Sequence, residues 1–292
     1  MFLWLAAAAF ASDPDPLTAF AVGSAAYLTT AAVHEVAGHG AGCALAGGDA
    51  LGFSSTFMVC DTEGMSPGGV RLGTFAGTGA NLLVGSTMTT TLLAAPPSDP
   101  WTYHYLWAAS TTQLFLAGSY MALGGAFGTG DFGVYASTVD ASREAGTRAA
   151  LVVSGLAVVG ATFPLSIVLA EPMLGGDRPT RVRSKLVLGL VPYLGAGVGL
   201  MTATAALNRE LGPGDGAVSA LVGYGLGTLY FGYVPLLIAG APPPSSSGRP
   251  APAMGRSAAW LVIGAASILG AGVLGAGVGA LDPAPLDNYL LQ

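Results

Sequence analysis

The chain has 292 residues, 52% of them hydrophobic and only 9% charged, with a formal net charge of -6. A soluble domain carries roughly 25% charged residues, so this composition excludes an ordinary water-soluble domain. The acidic balance also excludes a nucleic-acid-binding surface. The 45 glycines suit helices that pack closely in lipid.

Residues 1–12 are apolar and run into Asp13-Pro14-Asp15-Pro16. Ala9-Phe10-Ala11 resembles a signal-peptidase site, but no positive stretch precedes it. A weak signal peptide and a short apolar arm (1–16) are both open readings. A spanning helix needs about 20 mainly apolar residues, and candidates cover 17–45, 70–95, 103–127, 148–170, 182–207, 217–239 and 257–281. Pro, Gly, Asp and Ser punctuate the gaps, as in Ala95-Pro96-Pro97-Ser98-Asp99-Pro100 and the Pro/Ser-rich linker at 242–252. The expected fold is an all-α polytopic membrane protein of about seven transmembrane helices. It divides into a core at 17–140, scaffold helices at 141–281 and a tail at 282–292.

The segment 47–69 breaks this pattern. Phe53-Ser54-Ser55-Thr56-Phe57-Met58-Val59-Cys60 is rich in β-formers and too short and polar to span. It reads as a short membrane-associated β-like insertion after the first helix, or as a surface loop. Glycine pairs four apart (Gly195/Gly199, Gly223/Gly227, Gly275/Gly279) mark helix-packing faces. Arg178, Arg181, Arg183 and Lys185 favour a cytoplasmic loop. Arg71, Arg143, Arg148 and Arg209 with the acidic N-terminus favour the opposite alternation, so orientation is open. Cys43 and Cys60 are too few for a disulfide framework, and two unpaired, packed thiols is the simpler reading.

The chemistry is concentrated in His34-Glu35-Val36-Ala37-Gly38-His39, inside the first apolar helix. Ionisable groups there are costly unless they serve one another or a metal. The motif is one residue longer than H-E-x-x-H, the helical zinc-protease signature. Histidines four apart lie about 40° apart around an α-helix, but five apart they lie about 140° apart. A π-bulge, eased by Gly38, would restore a common face and leave Glu35 as general base. Alternatively Glu35 and His39 share a face and His34 points elsewhere. A third ligand is needed, and Asp131 in Gly128-Thr129-Gly130-Asp131-Phe132-Gly133 is the leading candidate. Taken alone, that residue reads better as the cap of a following short helix.

The order of motifs resembles the site-2 protease family of intramembrane zinc metalloproteases. Gly38-His39-Gly40 with Ala44-Leu45-Ala46-Gly47-Gly48 resembles the end of that family's first motif. Phe75-Ala76-Gly77-Thr78-Gly79-Ala80-Asn81 resembles its A-G-P-x-A-N stretch, with Thr78 in place of Pro. Gly130-Asp131 stands where a liganding Asp is found. The likeness covers about residues 20–140. It implies that His34, His39 and Asp131 hold Zn2+, that Glu35 is the catalytic base, and that Asn81 lies near the scissile carbonyl or holds the substrate strand. It further implies a membrane-protein or peptide substrate in the bilayer. A substrate strand could add to 53–60.

Other readings are a catalytically degenerate scaffold of the same fold, favoured by the extra residue, and an ion-binding transporter, which would need polar groups in later helices. Gly128-Thr129-Gly130-Asp131 also spells the G-x-G-D of intramembrane aspartyl proteases, but no second Asp lies inside a candidate span. A desaturase would need more than the three histidines present. His104, beside Trp101, Tyr103 and Tyr105, reads as an interfacial residue. Gln113 and Thr89-Thr90-Thr91 read as hydrogen-bonding groups between helices. The Ala/Gly/Arg-rich composition suggests a bacterial inner membrane.

Overall fold

The computed structural model describes residues 14–53, 58–174, 178–211, 234–238 and 253–277. The expectations for 1–12, Gly223/Gly227, Gly279, the linker at 242–252, the tail at 282–292 and most of the helix at 217–239 lie outside them. The described chain is mostly helical, with a two-stranded hairpin after the first helix. In order it runs α1 (Pro16–Ala31), a π-helical segment (Ala32–Gly40), α2 (Ala41–Leu45), β1 (Asp49–Phe53), β2 (Met58–Asp61), α3 (Pro67–Ala94), α4 (Pro100–Phe127) and α5 (Gly130–Ser137). It continues with α6 (Ala141–Ala170), a 3-10 turn (Glu171–Met173), α7 (Arg178–Leu211), α8 (Val234–Ile238) and α9 (Ala258–Gly277). Among the described residues, three helices are long and apolar enough to cross a membrane: Pro16–Leu45, Ala141–Met173 and Pro179–Ala203.

Helix starts follow from local chemistry. Asp15-Pro16-Leu17-Thr18 and Asp99-Pro100-Trp101-Thr102 repeat one capping pattern. The aspartate accepts from the Thr backbone N–H (2.9 and 2.7 Å) and from the Thr hydroxyl (2.8 and 2.6 Å). Proline occupies a position whose N–H has no helical partner. Ser66-Pro67 starts α3 the same way, with Ser66 Oγ accepting from Gly69 N–H.

The helix carrying the histidines is held on several sides. α7 and α9 pack along α1, and α3 packs against the π segment. At Gly195 a Cβ would overlap the Phe20 carbonyl, and at Gly199 it would fall 2.7 Å from the Tyr27 ring. That glycine pair therefore sets the close approach of α7 to α1. Trp107, Phe115 and Tyr27 are buried in the interior. Trp107 Nε1–H donates to the Ser166 carbonyl (2.9 Å), and Tyr103 Oη–H to that of Leu169 (2.9 Å), which joins α4 to α6.

Several expectations need correction. His104 is fully buried rather than interfacial. It lies between Trp101 and Trp107, and its Nε2–H donates to the Leu188 carbonyl at 3.0 Å. Thr89, Thr90 and Thr91 return their hydroxyls to carbonyls four residues back in α3, so they do not join helices. Gln113 Nε2–H does reach another helix, at Met88 Sδ (3.7 Å). Cys43 and Cys60 are not free. They form a disulfide that ties α2 to β2.

Candidate metal centre

The extra residue between the histidines is absorbed by the backbone. Ala32–Gly40 is π-helical, and i→i+5 bonding brings residues five apart onto one face. His34 Nε2 and His39 Nε2 accordingly approach to 3.2 Å, with ring planes 84° apart. Gly38 serves a second purpose here. A Cβ on it would fall 2.5 Å from Gly77 Cα, so it also sets how closely this turn meets α3.

Asp131 arrives from a tight connection. Gly128 closes α4 with φ 66°, and Gly130 has φ 61°, both in the left-handed region that L side chains avoid. Thr129, not Asp131, occupies the N-cap of α5. The aspartate is thus not used as a cap. Its Oδ2 lies 3.0 Å from His39 Nε2 and 3.9 Å from His34 Nε2. Burial acts to raise its carboxyl, but the hydrogen bond from His39 and the nearby positive charge outweigh that. The carboxyl is held below the ordinary range, so the group is an anion.

These three atoms make a fitting donor set. With bonds of about 2.0–2.2 Å, the ligand atoms of a tetrahedral ion lie roughly 3.3–3.6 Å apart. The observed 3.0, 3.2 and 3.9 Å bracket that edge. Electron-rich atoms this close repel unless a proton or cation lies between them. A buried His34/His39/Asp131 group that could hold a metal ion is therefore a property of the structure.

Each donor is also oriented from behind, as metal ligands are. His39 Nδ1–H donates to the Gly73 carbonyl (2.8 Å). The Asp131 backbone N–H donates to Tyr120 Oη (3.2 Å), and the Tyr120 hydroxyl also bonds the Asp131 carboxylate. Asn81, fully buried, places its amide 3.0 Å from His34 Nδ1. As oriented, Nδ2–H donates to Nδ1, and Asn81 Oδ1 is left buried without a partner. If His34 Nε2 gives its lone pair to an ion, Nδ1 must carry the proton. An amide turned by half a rotation then meets that N–H with Oδ1.

The donors line a cavity of about 290 Å3. Glu35 and, from β2, Met58, Val59 and Cys60 line it as well. Asn81 does not line this cavity, so in this structure it touches a candidate ligand rather than the space a substrate would enter.

Sequence reasoning brought together His34, Glu35, His39 and Asp131, and it missed Tyr120 and the function of Gly77. A Cβ at Gly77 would overlap the His39 ring, so the small residue in the second motif is what makes room for a donor. No short-range pattern marks Tyr120. It stands 11 residues before Asp131, on the far side of a turn. Comparison of the chain with protein-family models, curated proteins and solved structures gives no match.

Proposed function

We propose that this chain is an intramembrane zinc metalloprotease of the site-2 protease type, hydrolysing peptide bonds in or near transmembrane segments. The observation that carries this reading is the convergence of His34 Nε2, His39 Nε2 and Asp131 Oδ2 beside the Glu35 carboxylate in one cavity. Two imidazoles and one carboxylate with a neighbouring Glu is the donor set of catalytic zinc, which keeps a position open for substrate. The remaining long helices α3, α4 and α9 would add to the three spans in a bacterial inner membrane.

In this reading His34, His39 and Asp131 hold the ion, which when bound polarises carbonyl groups and activates water. Glu35 takes a proton from the attacking water and returns it to the leaving amine nitrogen. Its burial beside the donors keeps bulk water from competing for that proton. Asn81, Gly73 and Tyr120 fix the donors' orientation. The π segment weakens the case for a catalytically degenerate scaffold, because the extra residue no longer separates the two rings.

The test is metal content and cleavage measured together on detergent-purified full chain. Wild type and Glu35→Gln should each carry one zinc per chain, while His39→Ala and Asp131→Ala carry none. Only wild type should cleave a model transmembrane substrate. Cleavage retained by Glu35→Gln would overturn the assigned base. A wild-type chain without zinc would overturn the protease reading.

A further inference from the structure

The helical body has two chemically different ends. One carries the hairpin, the cavity and Asp131. There Arg71 donates to the Thr138 carbonyl (2.7 Å), joining α3 to the chain after α5. The other end is traced by contacts among element starts. Asp15 pairs with Arg256 (3.2 Å), Trp101 Nε1–H donates to the Gly255 carbonyl (2.7 Å), and His104 reaches Leu188.

Two independent features assign sides to these ends. The first is the Cys43–Cys60 disulfide, in the wall of the cavity. Disulfides persist in oxidising, extracytoplasmic compartments and are rare in the reducing cytosol. The second is the basic cluster of Arg178, Arg181, Arg183 and Lys185 at the start of α7, which Arg181's pairing with Glu171 (2.6 Å), next to the Tyr103–Leu169 contact, places at the opposite end; Arg256 lies at that end too, paired with Asp15. Dense Lys/Arg flanking spans marks the cytoplasmic side. The cavity end holds fewer basic residues, Arg71, Arg143 and Arg148, spread along the chain; ion pairs occur at both ends, Arg148 with Glu144 (2.7 Å) and Arg181 with Glu171 (2.6 Å).

We propose that the metal cavity faces the extracytoplasmic side of the membrane. Its substrates would then be membrane proteins whose cleavable segment lies in, or emerges from, the extracytoplasmic half of the bilayer. The substrate class rests on the protease reading above; the orientation does not. The cavity wall fits such a substrate in character. Met58, Val59, Met65, Val70 and Val134 give an apolar lining around the polar donors, as an unwound, apolar membrane segment would require.

The experiment uses the full chain in right-side-out and inverted membrane vesicles from a bacterial host, with a membrane-impermeant maleimide. Glu63→Cys and Asp140→Cys report the cavity end, and Ser98→Cys the opposite end; all three positions are exposed. The two cavity-end probes should label in right-side-out vesicles and lose that labelling in inverted ones. Ser98→Cys should do the reverse. In the wild-type chain, Cys43 and Cys60 should take up alkylating reagent after denaturation only when a reductant is added. The opposite labelling pattern, or native thiols alkylated without reductant, overturns the proposal. Expected labelling in a chain that neither binds zinc nor cleaves would leave the orientation standing and remove the protease reading. Cleavage with reversed labelling would do the converse.

Discussion

Asn81 and His34 meet amide to ring nitrogen at 3.0 Å, on the side of the imidazole turned away from the cavity. The way that amide is turned selects which ring nitrogen of His34 is free. When Asn81 accepts from Nδ1–H, Nε2 keeps its lone pair for an ion. Partners of this kind, behind a metal ligand, typically change affinity by about 10–100-fold when removed. Asn81→Ala should weaken zinc binding by that order, and Asn81→Asp, which keeps an acceptor, should restore much of it. Competition with a chromophoric chelator reads the difference. Equal zinc affinity in wild type and Asn81→Ala would remove the assigned role. A residue acting only on a bound substrate would alter cleavage while leaving chelator competition unchanged.

Gly77 and His39 give a steric prediction. A methyl at Gly77 overlaps the His39 ring, whereas a Cβ at Gly146 meets nothing within 4 Å. Gly77→Ala should therefore expel the ring from the donor position and abolish zinc binding, although alanine is the better helix former. Gly146→Ala should bind zinc as wild type does. Zinc content and circular dichroism on both variants separate loss of the site from loss of the helix.

Much of the fold was legible because long apolar runs stand out in the sequence and proline marks where they begin. Every described candidate span falls on a helix, with boundaries shifted by a few residues where Asp15, Ser66 and Asp99 supply caps. The metal donors were legible for a related reason: His34, Glu35 and His39 stand out against apolar neighbours. What the sequence left open was backbone geometry. A spacing of five fits one ion only through a π turn, one of the two geometries the spacing allows, and the π segment at Ala32–Gly40 decides for it. Asp131 looked like a cap because a Gly-Asp step before a short helix usually is one; here Thr129 takes that position. The Cys43–Cys60 bridge and the Tyr120–Asp131 contact depend on how the hairpin and α4 fold back over the site, which pairwise spacing does not encode. His104 was misplaced because an aromatic cluster at a helix start looks the same whether it faces the membrane interface or a neighbouring helix.

Metal retention should fall with acidity. An imidazole must be neutral to ligate, so each proton taken up by His34 or His39 removes a donor. The Asp131 carboxyl is held below the ordinary range, so it stays charged while protons compete with the ion for the two imidazoles. Zinc affinity should be full at mildly alkaline pH and fall as pH drops below the histidine range. Zinc content after equilibrium dialysis across a pH series tests this. Retention unchanged down to pH 4 would contradict the two-imidazole donor set.

The repeated Asp-Pro-x-Thr caps make a prediction that is independent of metal. Burial acts to raise the Asp99 carboxyl, but hydrogen bonds from the Thr102 hydroxyl and backbone N–H prevail and hold it below its ordinary value. A carboxyl depressed in the folded state contributes stability that is present above its unfolded pKa and is lost as pH falls through the folded one. The Asp99 cap should thus support α4 at neutral pH and fail only in strong acid, well below the interval in which the histidines lose metal. Replacing such a cap by alanine costs about 1 kcal/mol. Asp99→Ala should lower the thermal midpoint of the purified chain modestly at pH 7, with zinc content unchanged. The difference from wild type should begin to shrink as pH falls below about 4, the ordinary carboxyl value, and be lost only further into acid, where the depressed native carboxyl is itself protonated. Asp99→Asn, which keeps a capping oxygen without the charge, should fall between the two at pH 7. A loss of zinc in Asp99→Ala would mean that the α4 start and the metal cavity are mechanically coupled. In that case the α4 start cannot be treated as separate from the site, despite lying at the opposite end of the helical body.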